Sequence, residues 1–408
     1  MTESVADLFF KNLYEGFKLS SYRVDSDGCY ELSLEPTTWG VCRKCGSQCD
    51  RVHDTVIRTV KDASAFGKNV VIKVPVRRLK CDHCGECHTE QIKWLYNDTY
   101  CHATERLAKT VIKDLENQSV KEVSRRTGLH WESVKTIHKR HLQNYYAGFS
   151  LQDARILAVD EFSISKGHRY ATVVIDLETR RVIWIGKDRT KSTLNQFFKL
   201  CGTEGCKQIQ AVAMDQNAAF DESVKDHCPN ALVVYDMFHV LAKFGREVVS
   251  AIRLRLAGQY KGVDTQTYTK LKKSRWVLLR KNQNLTPKQK TRLDEILEAN
   301  KDLYVVYVLK ESLSGLWFCK TMEEGLAKWK EWKNMAISSG IPELIKFTEL
   351  QDKKYLTGIL NSSIFHIGTS VLEGINNRIK VIKRTAYGFR DFTYFFLKVK
   401  SVFPGIPR

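Results

Sequence analysis

The chain has 408 residues, of which 43% are hydrophobic and 27% charged. This balance is typical of a folded protein and excludes an intrinsically disordered one. The length exceeds one ordinary hydrophobic core and predicts several domains. The 65 Lys and Arg residues outnumber the 46 Asp and Glu residues and leave a formal charge of +19. Such an excess favours a polyanionic partner, with nucleic acid as the leading candidate.

Membrane and secretion signals are not found in the sequence. The longest apolar run, from Leu303 to Leu309, is far shorter than the roughly 20 residues that span a bilayer. The N-terminal sequence MTESVADLFFKNLYEGF lacks the basic region that opens a signal peptide. We therefore expect no membrane association and a location in the compartment of synthesis, the cytoplasm.

Two separated C-x-x-C pairs, Cys42/Cys45 and Cys81/Cys84, stand among the twelve cysteines. In a chain without a secretion signal, this spacing predicts a metal site rather than disulfides, and four thiolates predict a structural, tetrahedral Zn²⁺. Each second cysteine is followed by a glycine, whose positive φ would let backbone amides approach the thiolates. The stretch between the pairs is longer than in a usual zinc ribbon, and its alternating pattern predicts two basic strands. Four further side chains compete as ligands: Cys49, Cys87, His53 and His88.

A helical segment follows, because residues 104–146 contain no proline and a single glycine, Gly128. Small or apolar residues fall where two short helices would cross at that glycine, which predicts a helix-turn-helix. Any two amphipathic helices joined at a glycine could give this pattern, but the zinc module and the positive charge favour a DNA-binding one. The second helix would present five side chains to a DNA groove: His130, Trp131, Lys135, Lys139 and Arg140.

From Arg155 onward the sequence predicts strands and helices in the order β-β-β-α-β-α-β. Asp160 closes the first strand, RILAVDE, and Asp215 closes the fourth, QIQAVAMD. In a mixed sheet with the first strand central and the fourth beside it, the two carboxylates become neighbours. Either acid alone is more simply a turn former or a helix N-cap. Their joint placement is what favours a shared site.

A third acid, Glu373, lies on an amphipathic helix that begins VLEGINNRIK. One side of this helix is apolar, with Leu372, Ile375, Ile379 and Ile382. The opposite side is polar and suits a metal ion with adjacent phosphates: Glu373, Asn376, Asn377, Lys380 and Arg384.

The stretch between Asp236 and Glu373 is longer than the sheet requires and has helical periodicity, which predicts an all-helical insertion. Most tryptophans in this insertion are expected in its core. Trp276, which follows Arg275, is the candidate for stacking on an unpaired base of DNA.

The order of these parts resembles the DDE transposases of bacterial insertion sequences, in particular the ISL-three (ISL3) family. The residues that carry the resemblance are the C-x-x-C pairs with VDEFSISKGHRYATVVIDL, AVAMDQNAAF, VVYDMFHV and SVLEGINNRIKVIKRTAYGFR. The resemblance implies a ribonuclease-H-like core with Asp160, Asp215 and Glu373 as the catalytic triad. Similar transposases carry an Asp or Cys three residues before a His, which Asp236 and His239 match in a supporting role.

A transposase of this kind would bind the terminal inverted repeats of its element, hydrolyse the DNA at the element ends and join the 3′-OH ends to target DNA. Two Mg²⁺ ions, for which Mn²⁺ can substitute, suit an all-carboxylate site. The resemblance also implies a homodimer or a higher synaptic complex on double-stranded DNA, associated with the bacterial nucleoid.

Two other classes stay open at this level. A zinc-dependent DNA-binding transcriptional regulator would share the N-terminal parts but would have no reason to keep the three acids. A ribonuclease-H-like nuclease or resolvase would share the metal chemistry but would not need the helical insertion.

The predicted fold is multidomain α/β. Its parts are a zinc-binding β module (1–100), a helix-turn-helix (101–150), the first part of a ribonuclease-H-like mixed sheet flanked by helices (151–240), an all-helical insertion (241–360), and the second part of the catalytic core with the Glu373 helix (361–408).

Overall fold

The computed structural model describes residues 10, 12–97, 100–165, 167, 169–367 and 370–407, with the backbone alone at 370 and 371. Residues 1–9, on which the signal-peptide prediction largely depends, lie outside these ranges. The chain divides into two compact units. The first unit comprises Met1–Phe149 with Ile382–Val402, and the second comprises Ser150–Val381 with Phe403–Arg408.

The first unit is built on a small β module. Its strands are β1 (Phe17–Val24), β2 (Tyr30–Pro36), β3 (Gly40–Val41), β4 (Gln48–Cys49), β5 (Val52–Ala65), β6 (Lys68–Lys80) and β7 (Cys87–Thr89). The main sheet has the order β1-β2-β6-β5, with β7 also paired to β6, and β3 and β4 form a separate two-stranded ribbon. The two basic strands predicted between the cysteine pairs are therefore confirmed as the antiparallel pair β5 and β6.

Three helices follow in the same unit: α1 (Glu105–Asp114), α2 (Val120–Thr127) and α3 (Trp131–Ala147). Gly128 ends α2 with a φ of 67°, a left-handed conformation that glycine adopts without strain. Val123, Val134 and Ile137 are fully buried where α2 and α3 cross. The predicted helix-turn-helix geometry is present at Gly128.

A buried carboxylate, Asp62, joins the β module to the helices. It accepts hydrogen bonds from the Tyr14 hydroxyl at 2.8 Å and from the Thr104 hydroxyl, and it forms an ion pair with Arg106. Thr104 is also the N-cap of α1 and accepts from the Leu107 amide at 3.2 Å. Because strand β5 and helix α1 share this one acceptor, the start of the helical segment is fixed against the sheet.

The second unit contains a mixed sheet of β8 (Ile156–Ser165), β9 (Arg169–Asp176), β10 (Arg181–Lys187), β11 (Ala211–Met214) and β12 (Leu232–Tyr235). The strand order is β10-β9-β8-β11-β12; β8, β9 and β10 are antiparallel, whereas β11 is parallel to both β8 and β12. The connecting helices are α4 (Lys191–Gln208) and α5 (Ala218–His227). This is the predicted ribonuclease-H-like arrangement, with the first strand central and the fourth beside it.

One predicted strand end is wrong. Strand β8 does not stop near Asp160 but continues to Ser165, because β9 pairs with it along its whole length as far as Ser165 opposite Arg169. Asp160 therefore lies in the middle of an antiparallel ladder on one side. The parallel pairing with β11 covers only the part of β8 before Asp160.

The rest of the second unit is helical after β12. Its helices are α6 (Met237–Phe244), α7 (Ser250–Gln259), α8 (Thr265–Lys272), α9 (Arg275–Leu279), α10 (Pro287–Glu298), α11 (Lys301–Leu313), α12 (Met322–Ser338), α13 (Pro342–Leu350) and α14 (Leu356–Leu360). Two π-helical turns, Gly245–Val249 and Gln351–Tyr355, interrupt them. The chain ends with α15 (Ser370–Thr385), which spans the boundary of the units, and α16 (Phe392–Val402) in the first unit.

The helical stretch shares its hydrophobic core with the sheet. One cluster of buried residues includes Leu157 of β8, Phe197 of α4, Trp329 of α12 and Leu344 of α13. The stretch from Pro287 to Leu313, whose periodicity predicts a helix, forms two helices separated at Asn300. The domain limits at 241 and 360 stay a prediction.

We expect Asp62→Ala to destabilise the first unit by about 2–4 kcal/mol. The Tyr14 and Thr104 hydroxyls and the Arg106 guanidinium lose their common acceptor. The decrease in the free energy of unfolding should stay below that for breaking a fully buried ion pair, because the Arg106 side chain is 34% exposed. Hydrogen exchange of residues 52–80 in the full chain measures this opening energy. Glu35→Ala removes an exposed ion pair with Lys18 and should change it by less than about 0.5 kcal/mol. Equal effects of the two changes would contradict the role of Asp62.

Candidate active site and zinc centre

Three aspartates lie at one level across the parallel strands of the second unit. Ala213 of β11 pairs with Ala158 of β8, and the same register two residues further places Asp215 beside Asp160. Met214 pairs with Tyr235 of β12, and the next residues in that register are Asp215 and Asp236. The Asp236 amide donates to the Met214 carbonyl at 3.1 Å, which continues the ladder to this level. The two strand registers, continued past their last pairs, therefore place the three aspartates at one level of the sheet, and among the described residues the Asp215 and Asp236 carboxylates are close enough to share an ion.

Asp160 is the more enclosed of the two predicted strand acids. Burial, assisted by the charge of Asp215, raises the pKa of the Asp160 carboxyl to about 6. The Asn376 amide nitrogen donates to Asp160 Oδ2 at 2.5 Å, which favours the ionised carboxylate. The other polar atom of that amide, Asn376 Oδ1, is buried and has no hydrogen-bond partner within the described part of the chain. An acceptor of this kind is a candidate ligand for a cation.

His239 lies between the other two aspartates. Its Nδ1 is 2.7 Å from Asp215 Oδ1 and 2.9 Å from Asp236 Oδ2. Hydrogen bonds to Asp215 and then to Asp236 raise the pKa of His239 to about 10, so the imidazole is a cation at neutral pH. Asp236 is also the N-cap of α6 and accepts from the Phe238 amide at 2.7 Å. Asp236 can therefore cap α6 with one carboxylate oxygen and contact His239 with the other.

Glu373 lies on α15, whose apolar residues are buried as the pattern predicted: Leu372, Ile375, Ile379 and Ile382. Glu373 itself is exposed and one helical turn before Asn376, the residue that contacts Asp160. Among the described residues, the group close enough to share one ion consists of Asp215, Asp236 and His239, and it includes neither Asp160 nor Glu373. The structure therefore brings the Glu373 helix to the aspartates through Asn376.

The remaining polar residues of α15 are exposed. Asn377 accepts a hydrogen bond from the Lys380 ammonium at 3.3 Å, and both residues are exposed. Arg384, in the part of the helix that belongs to the first unit, is exposed as well. These positions leave the two cations accessible to phosphate groups.

Two glutamines that the sequence analysis did not single out connect the strand of Asp215 to the helical stretch. The Gln216 amide donates to Gln351 Oε1 at 2.6 Å, and Gln351 is fully buried in a π-helical turn. The Lys243 ammonium donates to Gln216 Oε1 at 3.2 Å. Gln216 could have been noticed as the neighbour of Asp215, but Gln351 carries no local signal because its partner is remote in sequence.

Glu161 and Asn217 form a second link next to the site. Strand β8 continues through Glu161, whose carboxylate accepts from the Asn217 amide at 2.9 Å. Asn217 also caps α5 by accepting from the Ala219 amide at 3.0 Å. The hydrogen bond to Glu161 therefore stabilises the turn between Asp215 and α5.

The four predicted zinc ligands are together in the first unit. Cys42, Cys45, Cys81 and Cys84 have sulfur atoms within 4.8 Å of one another. The separations of 3.8 Å for Cys42–Cys84 and 3.5 Å for Cys45–Cys81 match the roughly 3.8 Å expected between thiolates bound tetrahedrally at about 2.3 Å from zinc. The donor set and its spacing fit a structural Zn²⁺.

The two halves of this zinc centre have the same backbone. Gly46 and Gly85 have φ angles of 75° and 71°, and each donates its amide to the carbonyl of the first cysteine of its pair at 2.9 Å. The positive φ expected at these glycines is confirmed. Ser47 lowers the pKa of the Cys45 thiol to about 6 through hydrogen bonds, which favours the thiolate that a metal requires.

The residues predicted to face DNA from α3 divide into two groups. His130, Trp131 and Arg140 are exposed. Lys135 and Lys139 are instead tied to Asp391 of the same unit, at 3.8 Å and 2.9 Å. These two lysines remain candidates for DNA binding, but their ammonium groups already have a carboxylate partner.

Trp276, the candidate for base stacking, is 68% exposed. The Arg275 guanidinium lies over its ring at 5.3 Å from the centroid. Its neighbours Val277 and Leu278 are buried and anchor the short helix α9. Trp276 is thus a fixed aromatic surface with a cation beside it, which is the chemistry of single-strand contacts.

In the part of the chain that the structure describes, no helix is both long and apolar enough to cross a membrane.

Comparison with known proteins identifies each of these parts. A family model described as Transposase matches residues 157–399, which is more than half of the chain. A model described as the zinc-finger of transposase IS204/IS1001/IS1096/IS1165 matches residues 40–84, and a model of the helix-turn-helix domain of transposase family ISL3 matches residues 98–142.

Complete relatives agree with the family models. The transposase for insertion sequence element IS1001 of Bordetella parapertussis is 42% identical over 378 residues, which cover 92% of this chain and 92% of the relative. The transposase for insertion sequence element IS1557 of Mycobacterium tuberculosis is 28% identical over 257 residues, covering 58% of this chain and 57% of the relative. With its zinc-binding module, its helix-turn-helix and its catalytic region all matched, the chain belongs to the ISL3 family of insertion-sequence transposases.

Proposed function

We propose that this transposase cuts and joins DNA with a DDE site formed by Asp160, Asp215 and Glu373. The observation that carries the proposal is the parallel register that places Asp160 beside Asp215, together with the Asn376–Asp160 hydrogen bond on the Glu373 helix. The resemblance to DDE transposases supplies the role of Glu373. A transcriptional regulator would not require this convergence of acids with a buried, unpaired amide oxygen.

The oxygen donors of this site fit Mg²⁺, which is a hard ion that prefers carboxylate and amide oxygens. The residues that would hold it are Asp160, Asp215 and Glu373. When bound, Mg²⁺ would supply a lowered pKa for the attacking water or 3′-hydroxyl and stabilisation of the leaving 3′-oxygen. His239 would orient the Asp215 carboxylate, because its Nδ1 lies within hydrogen-bond distance of both Asp215 and Asp236.

The exposed cations are assigned to DNA. Lys380 would contact phosphates next to the catalytic acids, and Arg384 would bind DNA phosphates from the first unit. The terminal inverted repeats would be bound through the helix-turn-helix by His130, Trp131, Lys135, Lys139 and Arg140. For Lys135 and Lys139, binding would exchange the Asp391 carboxylate for phosphate oxygens. Trp276 would stack on an unpaired base near the cut. At least two protomers are required to join two element ends.

The proposed reaction is tested with labelled element ends and Mg²⁺. We expect nicked ends and strand-transfer products from the unchanged protein, and neither from Asp215→Asn, which should bind the ends normally. Cleavage should fall by more than the roughly 10–100-fold typical of residues that only support a ligand. Asp226→Asn, which removes an exposed carboxylate paired with Lys191 on the same unit, is the matched control and should cut normally. Retained cleavage by Asp215→Asn would disprove the assignment, and nicks without joined products would favour a nuclease.

The raised pKa of Asp160 predicts a pH dependence of metal use. Below about pH 6 the Asp160 carboxyl is protonated and must release this proton to bind Mg²⁺, so the Mg²⁺ concentration for half-maximal cleavage should rise as the pH falls. Asn376→Leu removes the hydrogen bond that favours the ionised form and should move this transition to higher pH. Asn230→Leu, which removes an exposed amide bonded to the Lys207 carbonyl of the same unit, should leave it unchanged. A Mg²⁺ requirement that is constant from pH 5 to pH 8 would contradict this role of Asp160.

The zinc centre is predicted to use four cysteines and none of the competing side chains. We expect about one Zn²⁺ per chain by elemental analysis, and loss of both zinc and end binding in Cys42→Ser or Cys81→Ser, because the small β module needs the metal to close. Cys87→Ser and Cys49→Ser should keep their zinc, since neither sulfur belongs to the described four-cysteine group. Zinc loss in Cys87→Ser would show that the second C-x-x-C pair is shifted to Cys84/Cys87.

A further inference from the structure

Strand β5 is an edge strand with an uncovered apolar segment. In the sheet order β1-β2-β6-β5 it pairs on one side with β6. Every residue from Val52 to Ile57 is exposed, and the side chains of Val52, Val56 and Ile57 are 47%, 58% and 61% exposed. Within the described residues, no strand lies along its outer edge before Lys61, which is bridged to Ala103. Open apolar edges are usually blocked or covered, because they pair readily with another strand.

The direction of the free backbone groups can be established from Lys61. Its amide donates to the His102 carbonyl at 2.9 Å and its carbonyl accepts from the Thr104 amide at 3.0 Å, so both groups of Lys61 point away from β6. Alternate residues of a strand direct their backbone groups to the same side. Thr59, Ile57 and Thr55 therefore direct their amide and carbonyl groups to the edge, where the described residues provide no backbone partner for them. Pro75 lies opposite Ile57 in β6 and has no backbone N–H to donate. This agrees with Ile57 directing its own backbone groups away from β6.

The charges of β5 are self-complementary about Val56, and Asp54 would add Arg58 of a second copy to its exposed contacts with His53 at 2.9 Å and Arg78 at 3.9 Å. In an antiparallel pair of two identical strands centred on Val56, Asp54 of each copy lies opposite Arg58 of the other. Thr55 and Ile57, whose backbone groups point outward, then form the hydrogen-bonded pairs. Both ion pairs fall at the non-hydrogen-bonded positions, where side chains approach most closely.

Other registers of the same pair are less favourable. Centring on Thr55 or on Ile57 leaves Asp54 and Arg58 opposite apolar residues, and centring on Asp54 or on Arg58 places like charges on the axis. If the two-fold axis passes between two residues, each residue with outward backbone groups lies opposite one with inward groups. No ladder of hydrogen bonds can then form. The Val56 register also fits the free stretch 53–59, since Lys61 is already engaged by the chain at 102–104.

We propose that the outer edge of β5 is a homodimer interface in which residues 53–59 of two copies pair antiparallel about Val56. The pairing continues the sheet through the two-fold axis and buries Val56 against its symmetry mate. Ile57 then packs on Thr55 of the other copy, and the two Asp54–Arg58 ion pairs fix the register. The occupant is a second copy of this chain, because one strand supplies both members of each charge pair. The inference rests on the proposed function only in expecting at least two protomers.

Charge reversal tests this interface with the full-length, zinc-loaded chain. Asp54→Arg alone and Arg58→Asp alone each place like charges across the axis twice, and we expect each to raise the dimer dissociation constant by at least about 10-fold. An equal mixture of the two variants should form heterodimers, because one chain is then basic at both positions and its partner is acidic at both. The double variant D54R/R58D should dimerise like the unchanged protein. Native mass spectrometry and light scattering without DNA or Mg²⁺ give the masses.

A matched control reverses a charge on the opposite edge of the same sheet. Arg23 of β1 pairs with Glu31 at 2.7 Å, and Arg23→Glu should leave the dimer unchanged. Single variants that dimerise normally, an unchanged protein that is monomeric, or a dimer lost in Arg23→Glu would each overturn the proposal. Single variants that keep the dimer but lose binding to element ends would show that β5 contacts DNA instead. Because cleavage is measured separately, a failed interface and a failed catalytic assignment are distinguishable.

Discussion

The second unit depends on one electrostatic constraint, which is the placement of Asp160, Asp215 and Asp236 side by side by backbone pairing. The registers of the three parallel strands, continued past their last pairs, place these residues at one level of the sheet. Adjacent like charges in a partly buried site are unfavourable. Three features reduce this repulsion. The pKa of Asp160 is raised, the Asn376 amide donates a hydrogen bond to Asp160, and His239 lies between Asp215 and Asp236. This arrangement of acids supports the Mg²⁺ site that we propose.

The helical stretch supports the strands that carry those acids. The Trp317 indole donates to the Tyr235 carbonyl at 2.9 Å and the Asn361 amide to the Val233 carbonyl at 2.8 Å, so the last strand is hydrogen-bonded to helices from the far end of the stretch. The buried Gln351–Gln216 pair makes a similar link directly after Asp215. Sheet and helices also share one hydrophobic core. The stretch therefore works as a structural part of the catalytic unit, in addition to the contact with DNA proposed for Trp276.

Sequence patterns predict the structure correctly where the chemistry is local. The C-x-x-C pairs with their glycines, the turn at Gly128 and the apolar face of α15 each depend on residues a few positions apart, so spacing alone predicts them. The predicted end of β8 is wrong, because the length of a strand is set by its partner: β9 pairs with β8 beyond Asp160 as far as Ser165. Lys135 and Lys139 look like free cations on α3, but Asp391 meets them from far along the chain.

The sequence by itself predicted the order of parts, the four-cysteine group and the three candidate acids, because motif spacing and hydrophobic periodicity are properties of short segments. The tertiary structure alone decided which polar groups surround those acids. Asn376 meets Asp160 within β8, and Gln351 meets Gln216 directly after Asp215, through contacts between remote segments. It also decided that β5 is an edge strand among the described strands of its sheet. Such relations depend on which elements become neighbours in space, and local spacing does not encode that.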